Sequence, residues 1–258
     1  MGWVKGIFFL ALALAVIGGG AVIGMRVGRS KFSAASDVKP NLVEVTNAGG
    51  IHLYAARIGQ RAILFDTGMD PSGGPIDAAL GALRAGRSDV TDVFLTHGHF
   101  DHIAGAGLLA KAKIHLGGGD VALAEGKAPP DALMARLLSK AMSTPPIAVS
   151  DPIGAAASFD VGDGKAVKAF PVPGHTPGSY AFLYDGVLFV GDIMVFKQGQ
   201  LEPTPRIFNP HPEENKAAIR GLKAQLANET VDTVCTGHGG CTPKGLGRNL
   251  LDDLISRV

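Results

Sequence analysis

Three histidines and an aspartate stand within six residues at His97-Gly98-His99-Phe100-Asp101-His102, directly after the apolar run Val90 to Leu95. The run reads as a buried strand, so the four side chains sit in a tight turn at a strand end. An imidazole cluster with nothing between its members is costly to bury, and so is an unpaired carboxylate. A divalent ion removes both costs, because imidazole and carboxylate are ligands for zinc and similar metals. Ordinary loop histidines are the alternative. Four ligand-type residues in one turn argue against them. The fold must therefore offer a rigid sheet edge at which a metal-binding turn meets its partners.

Further candidates follow the same rule of lying just past an apolar run. Asp66 stands in Phe65-Asp66-Thr67-Gly68, His175 in Pro173-Gly174-His175-Thr176-Pro177-Gly178-Ser179, Asp192 in Gly191-Asp192, and His238 in Thr236-Gly237-His238-Gly239. In this order the motifs resemble those of the metallo-β-lactamase superfamily, whose metal motif is HxHxDH after a strand, over about residues 42 to 258. The one departure is Ala104-Gly105, where the family usually has Gly-Gly. The resemblance implies an α/β fold, a four-layer αββα sandwich, with two metal ions. Zinc is the expected metal, with iron or manganese as alternatives. His97, His99 and His175 would hold one ion, Asp101, His102 and His238 the second, and Asp192 would bridge them. Asp101 and Asp192 are the carboxylates assigned to catalysis. Asp66 is expected behind a metal-bound imidazole, since such a ring usually donates its other N–H to a carboxylate or carbonyl. A turn aspartate bonded to Thr67 or Gly68 is its alternative.

The implied chemistry is hydrolysis by a metal-bridging hydroxide. Asp192 points to the glyoxalase II-like branch, because true β-lactamases of the superfamily lack the bridging aspartate while its thioesterases, lactonases and phosphodiesterases have it. Glyoxalase II proper has a long C-terminal helical extension, whereas twenty residues follow His238. An ester, thioester or lactone is therefore the expected substrate. A β-lactam-hydrolysing enzyme, or an iron-dependent sulfur or oxygen redox member of the same fold, is the alternative.

Composition narrows the partners. Of 258 residues 46% are hydrophobic and the formal charge is +1, so there is no basic footprint for nucleic acid. A small-molecule substrate is the expected ligand. Gly6 to Met25 contains twenty uncharged residues, enough to cross roughly 30 Å of hydrocarbon. Residues 1–25 therefore read as a transmembrane anchor, with a cleaved signal peptide ending near Gly19-Gly20-Ala21 as the second reading and a buried helix as the third. Residues 26–41 read as a linker, and 42–258 as the catalytic domain. Lys5 before the run fits a signal-anchor with an extracytoplasmic, periplasmic domain, while Arg26, Arg29 and Lys31 after it favour the cytoplasmic side.

The remaining pattern places elements around the motifs. Leu42 to Val45, Ile51 to Ile58 and Ala62 to Phe65 form an antiparallel meander. Ile76, Leu80 and Leu83 share a helical face, and a helix is expected from His102 to Ala112. Lys113 to Leu116 reads as a strand, followed by a glycine loop and a helix capped by Asp131. Residues 117–150 are the expected family-specific insertion, either a wall of the substrate site or cover for a sheet edge. Further strands run from Ala166 to Pro171, Tyr180 to Tyr184, Val187 to Val190 and Val231 to Cys235. Helices begin at Pro212 and at Thr242-Pro243. His52 and His115 lie in strands and read as structural. Phe196, Lys197, Phe208 and His211 follow Asp192 closely enough to line a substrate pocket, although a solvated lysine and a helix-start histidine are the plainer readings. Cys235 and Cys241 flank His238. A strand end and a helix start would separate their Cα atoms beyond the ~7 Å a bridge tolerates, so two free cysteines are expected, with a disulfide as the alternative outside the cytoplasm.

Overall fold

The computed structural model describes residues 31–258 apart from 48, 110 and 143. The apolar run from Gly6 to Met25 lies outside the described residues, among which no helix is long and apolar enough to cross a membrane.

Strands β1 (Ser36–Lys39), β2 (Leu42–Asn47), β3 (Ile51–Ile58), β4 (Arg61–Phe65), β5 (Val90–Leu95), β6 (Lys113–Gly117) and β7 (Asp151–Ile153) form one sheet in chain order. β1 to β4 are antiparallel, β2 to β4 as the turn signals predict, and β4 to β7 run parallel. A second sheet has the order β14-β11-β10-β9-β8, from β8 (Ala157–Gly162), β9 (Lys165–Pro171), β10 (Tyr180–Tyr184), β11 (Val187–Gly191) and β14 (Thr233–Thr236). A short hairpin, β12 (Met194–Lys197) with β13 (Gln200–Pro203), stands apart.

Both sheets are apolar on both faces, and the period-two alternation of the strands sorts each side chain to its layer. Tyr54, Ile63, Phe65 and Phe94 point between the sheets, where they meet Phe182, Tyr184 and Phe189 of the other. Phe65 stacks on Phe189 with ring centroids 3.8 Å apart. The intervening residues Leu53, Ala55, Leu64 and Val93 face outward onto Ile76, Ala79 and Leu80 of helix α1 (Gly74–Ala82). On the far side Leu183, Leu188 and Val234 pack under Ile219 and Leu222 of α5 (Pro212–Gln225) and Leu251 and Leu254 of α6 (Gly247–Arg257). Helix, sheet, sheet and helix thus form successive layers around three cores.

Several expectations change. The linker's last residues are the edge strand β1, and Phe32 bridges to Asn47, so the folded part begins before Leu42. The helix after His102 is one turn, α2 (Phe100–Ile103), followed by a separate 3-10 turn at Ala106–Leu109. The break lies at Gly105, where a Cβ would stand 2.6 Å from Ile76 and 3.0 Å from the Thr67 carbonyl. Asp131 stands two residues before its helix rather than directly at its start. The short α3 (Val121–Ala124) is followed by α4 (Leu133–Met142), and Asp131 lies before α4 with its carboxylate 3.9 Å from His211. The closing helix starts at Gly247 rather than Thr242.

Cys241 therefore does not begin a helix. After β14 the chain turns back through Gly239 and Gly240, both with positive φ, and Cys241 pairs antiparallel with Cys235 at a Cα separation of 4.0 Å. The two are disulfide-bonded. The expectation of free cysteines is corrected, because a hairpin-like return brings together what a strand-to-helix connection would hold apart.

Candidate metal centre

Each proposed ligand follows a strand that ends at the same edge of the molecule. His97 follows β5, His175 follows β9, Asp192 follows β11 and His238 follows β14. The pairings β4∥β5 and β11∥β14, with β9 running in the sense of β11, align these C-terminal ends. Tyr180 N–H donates to the Thr96 carbonyl at 2.8 Å, tying the sheets together there.

The first group is a triangle of nitrogens. His97 Nε2 lies 3.1 Å from His99 Nδ1 and 3.2 Å from His175 Nε2, and His175 Nε2 lies 3.0 Å from His99 Nδ1. Three neutral imidazoles cannot satisfy one another in a triangle, since each ring has one N–H and one acceptor nitrogen. A tetrahedral ion with Zn–N bonds of about 2.0–2.1 Å has nitrogen–nitrogen edges of roughly 3.3 Å, close to these. Burial pushes all three pKa values down, that of His175 to about 3, with neighbouring imidazoles adding to the effect on His97 and His175. Neutral rings are the form that binds a metal.

The second group has the opposite electrostatics. Burial works against charge on His238, but Asp192 and then Asp101 outweigh it and lift the pKa to about 10. His102 is likewise raised well above the usual value, against burial, by Asp192, Asp66 and Asp101. In return, and also against burial, His102 and His238 hold Asp101 at about 2, and the same two rings keep Asp192 well below the carboxylate range. His238 Nε2 stands 3.5 Å from Asp101 Oδ2 and 3.3 Å from Asp192 Oδ2, and His102 Nε2 stands 3.3 Å from Asp192 Oδ1. Asp192 Oδ2 is also 3.8 Å from His175 Nε2, so this carboxylate lies between the two groups. Gly237 allows that approach: a Cβ there would collide with Asp192 and with His102.

Asp66 is buried and accepts from Thr96 N–H at 2.8 Å and from the Thr96 hydroxyl, with Oδ2 2.8 Å from His102 Nδ1. It thereby fixes a second-group imidazole from behind. Of the suggested pocket residues, Phe196 packs against the core under α5 and α6, Lys197 is exposed, and Phe208 is 42% exposed. None of the four lines the cavity of about 430 Å³ that opens beside the metal turn. Its floor includes Gly98, Phe100 and Leu123, and Lys127, Arg136 and Lys140 also line it. The segment 117–150, expected as a wall or an edge cover, forms most of that lining. His52 is held low, at about 4, by burial and then by His238, and His115 lies between Asp92 and Asp151 at 2.8 and 2.7 Å.

A family model for the metallo-β-lactamase superfamily matches residues 46–238. The chain belongs to this superfamily. Hydroxyacylglutathione hydrolase of Cereibacter sphaeroides is 31% identical over 172 residues, which cover 65% of this chain and 54% of that enzyme. The chain thus spans about half the length of this curated relative. A class B3 di-zinc metallo-β-lactamase from an Alaskan soil metagenome superposes with a TM-score of 0.66 at 19% identity, covering 89% of this chain and 93% of that one. A subclass B3 enzyme of Bradyrhizobium japonicum gives 0.59 at 22%, covering 82% and 80%. These two share the fold. The chain thus combines the superfamily's fold with histidine–aspartate groups that could hold a metal ion.

Proposed function

We propose that this protein is a dinuclear zinc hydrolase of esters, thioesters or lactones. The observation that carries the reading is the position of Asp192, with one oxygen toward His102 and the other toward His238 and His175. His97, His99 and His175 would hold one ion, and Asp101, His102 and His238 the other. Asp192 is set to reach both. Two bound ions would supply a water acidified toward neutrality and positive charge for the oxygens of a carbonyl undergoing attack. Asp66 orients His102, and the neutral first-group rings need no deprotonation before they bind.

The Cys235–Cys241 disulfide supports a domain that works outside the cytoplasm. With the apolar run Gly6 to Met25, it favours a membrane-attached, extracytoplasmic enzyme with a small-molecule substrate and no nucleic-acid partner.

The test is elemental analysis of the zinc-saturated full chain, followed by turnover of thioesters, lactones, carboxylic esters, β-lactams and phosphodiesters. Two ions per chain with preferred turnover of the first three classes is expected. One ion or fewer at saturation, or turnover confined to β-lactams or phosphodiesters, would refute the proposal.

A further inference from the structure

We infer that Asp120 is a positioning residue for the three-histidine group, setting the separation of the two loops that carry it. The inference rests on the reading of His97, His99 and His175 as a metal site.

His97 and His99 belong to the turn after β5, and His175 to the turn after β9 in the other sheet. These turns are 76 residues apart between His99 and His175, and no ladder joins β5 to β9. Something else must hold His175 Nε2 at 3.0 Å from His99 Nδ1. Beside the Tyr180 N–H bond to the Thr96 carbonyl at the sheet edge, Asp120 touches both turns. Its Oδ2 accepts the Gly98 N–H at 2.8 Å, on the residue between His97 and His99, and the Thr176 hydroxyl at 2.6 Å, on the residue after His175. Its Oδ1 accepts the Gly178 N–H at 2.8 Å.

Three further observations mark this as a built arrangement. Asp120 is fully buried, so its carboxylate depends on these donors for the solvation it gives up. It occupies the N-cap position of α3 yet makes no side-chain cap bond, leaving an ordinary role for an aspartate unfilled. The backbone is also cut to fit: a Cβ on Gly178 would stand 2.5 Å from Asp120 N, one on Gly119 2.8 Å from the Pro177 carbonyl carbon, and one on Gly98 3.1 Å from Asp120 Cβ. Gly117 and Gly119, which the metal motifs leave unexplained, let the turn bearing Asp120 lie directly on Pro177-Gly178.

The second group takes its support elsewhere, His102 from Asp66 and His238 from the loop after β14. Loss of Asp120 should therefore act on one metal and spare the other. A merely structural residue would weaken both in proportion to stability.

The experiment is titration of the metal-free full chain with Co²⁺, for the parent, Asp120→Asn, Thr176→Val and Ile219→Val. The last lies in the core under α5 and serves as a stability control. The d–d absorption reports each affinity, and the hyperfine-shifted imidazole protons count the histidines on each ion. In Asp120→Asn an amide NH₂ must face at least one N–H donor. A tenfold to hundredfold loss of affinity at the three-histidine site is expected, as for other partners that orient metal ligands. The ion on His102 and His238 should shift less than threefold. Thr176→Val removes one of the three bonds and should give a smaller loss at the same site. It decides the matter if Asp120→Asn fails to fold. Equal affinities in parent and both variants would overturn the inference. So would losses at both ions that match those of the control at equal thermal stability. A parent that binds no Co²⁺ through His97, His99 and His175 would instead overturn the metal reading, and the inference with it.

Discussion

Asp192 and Asp66 illustrate two ways in which a carboxylate can serve one centre. Asp192 faces both ligand groups, so Asp192→Ser should retain one ion, on the three histidines, and lose the other. Turnover of the best substrate should fall by roughly 100-fold or more, as when an electrostatic stabiliser is removed from a water-poor site. A variant that keeps two ions and the parental rate would show that Asp192 does not bridge. Asp66 acts directly on His102, whose Nδ1 is 2.8 Å from its carboxylate, and only through the Thr96 hydroxyl on His97, whose Nδ1 is 3.1 Å from that hydroxyl. Asp66→Asn should lower affinity for the second ion or turnover by about 10 to 100-fold, with the first ion retained. Retention of both at parental strength would reduce Asp66 to a turn residue bonded to Thr96. At this scale the histidines and aspartates that the fold brings together, with Asp66 behind His102, were legible, because each combines a ligand-type side chain with a strand end. Asp120 was not. Its neighbours in sequence suggest a glycine loop, and its partners Gly98, Thr176 and Gly178 are brought to it by packing of separate turns. For Phe196 and Lys197, closeness to Asp192 in sequence does not say which way the β12–β13 hairpin turns, and neither lines the cavity beside Gly98.

Elements that stand out as continuous apolar runs, such as β3, β5 and β10, emerge from sequence with bounds equal to those observed. Elements governed by backbone approach do not. The helix expected after His102 stops because Gly105 must lie against Thr67 and Ile76, a contact between distant parts of the chain. The edge strand β1 has too little apolar character to stand out from a linker. The loop after β14 shows the same limit, since positive φ at Gly239 and Gly240 turns an expected strand-to-helix connection into a return that joins Cys235 to Cys241. This disulfide closes a short ring around His238, with a sequence separation of 6. Such a ring should stabilise the fold by less than the ~3 kcal/mol of a fifteen-residue loop. Its larger effect should fall on the imidazole it confines. The double variant Cys235→Ala, Cys241→Ala is expected to lose affinity for the second ion while keeping the first. Calorimetric titration with zinc measures both, and unchanged binding at the second ion would confine the disulfide to stability.

Across the whole molecule, the proposed dinuclear centre implies that metal and protons would compete chiefly for the second group, which should give thermal stability a characteristic pH dependence. An ion that binds the folded chain alone stabilises it by about 2.7 kcal/mol at a hundred times its Kd. A domain of this size gains roughly 2–4 °C per kcal/mol, so each ion should raise the melting temperature by about 5–11 °C. The first-group rings have lowered pKa values, that of His175 about 3, because burial disfavours their charged form. Their ion's contribution should therefore vary little as pH rises above the ordinary histidine value. In the second group His238 titrates at about 10 and His102 is also raised. These rings must release protons to bind, so the second ion should tighten as pH rises. Without metal the sign reverses. Raised histidine pKa values contribute stability that is complete below the unfolded value of about 6.5 and is lost as pH climbs toward 10. The carboxylate partners, with Asp101 at about 2, keep their contribution above about pH 4 and lose it only in acid. Between pH 6.5 and 8.5 the group's contribution should thus fall in the chelated protein while the second ion's contribution grows in the zinc-loaded one. Differential scanning calorimetry of both forms measures the gap in melting temperature, which should widen over this range. Asp192→Ser, left with the first ion, should show a smaller gap that varies less with pH. A gap that stays constant in the parent would mean that His102 and His238 bind no ion in competition with their protons.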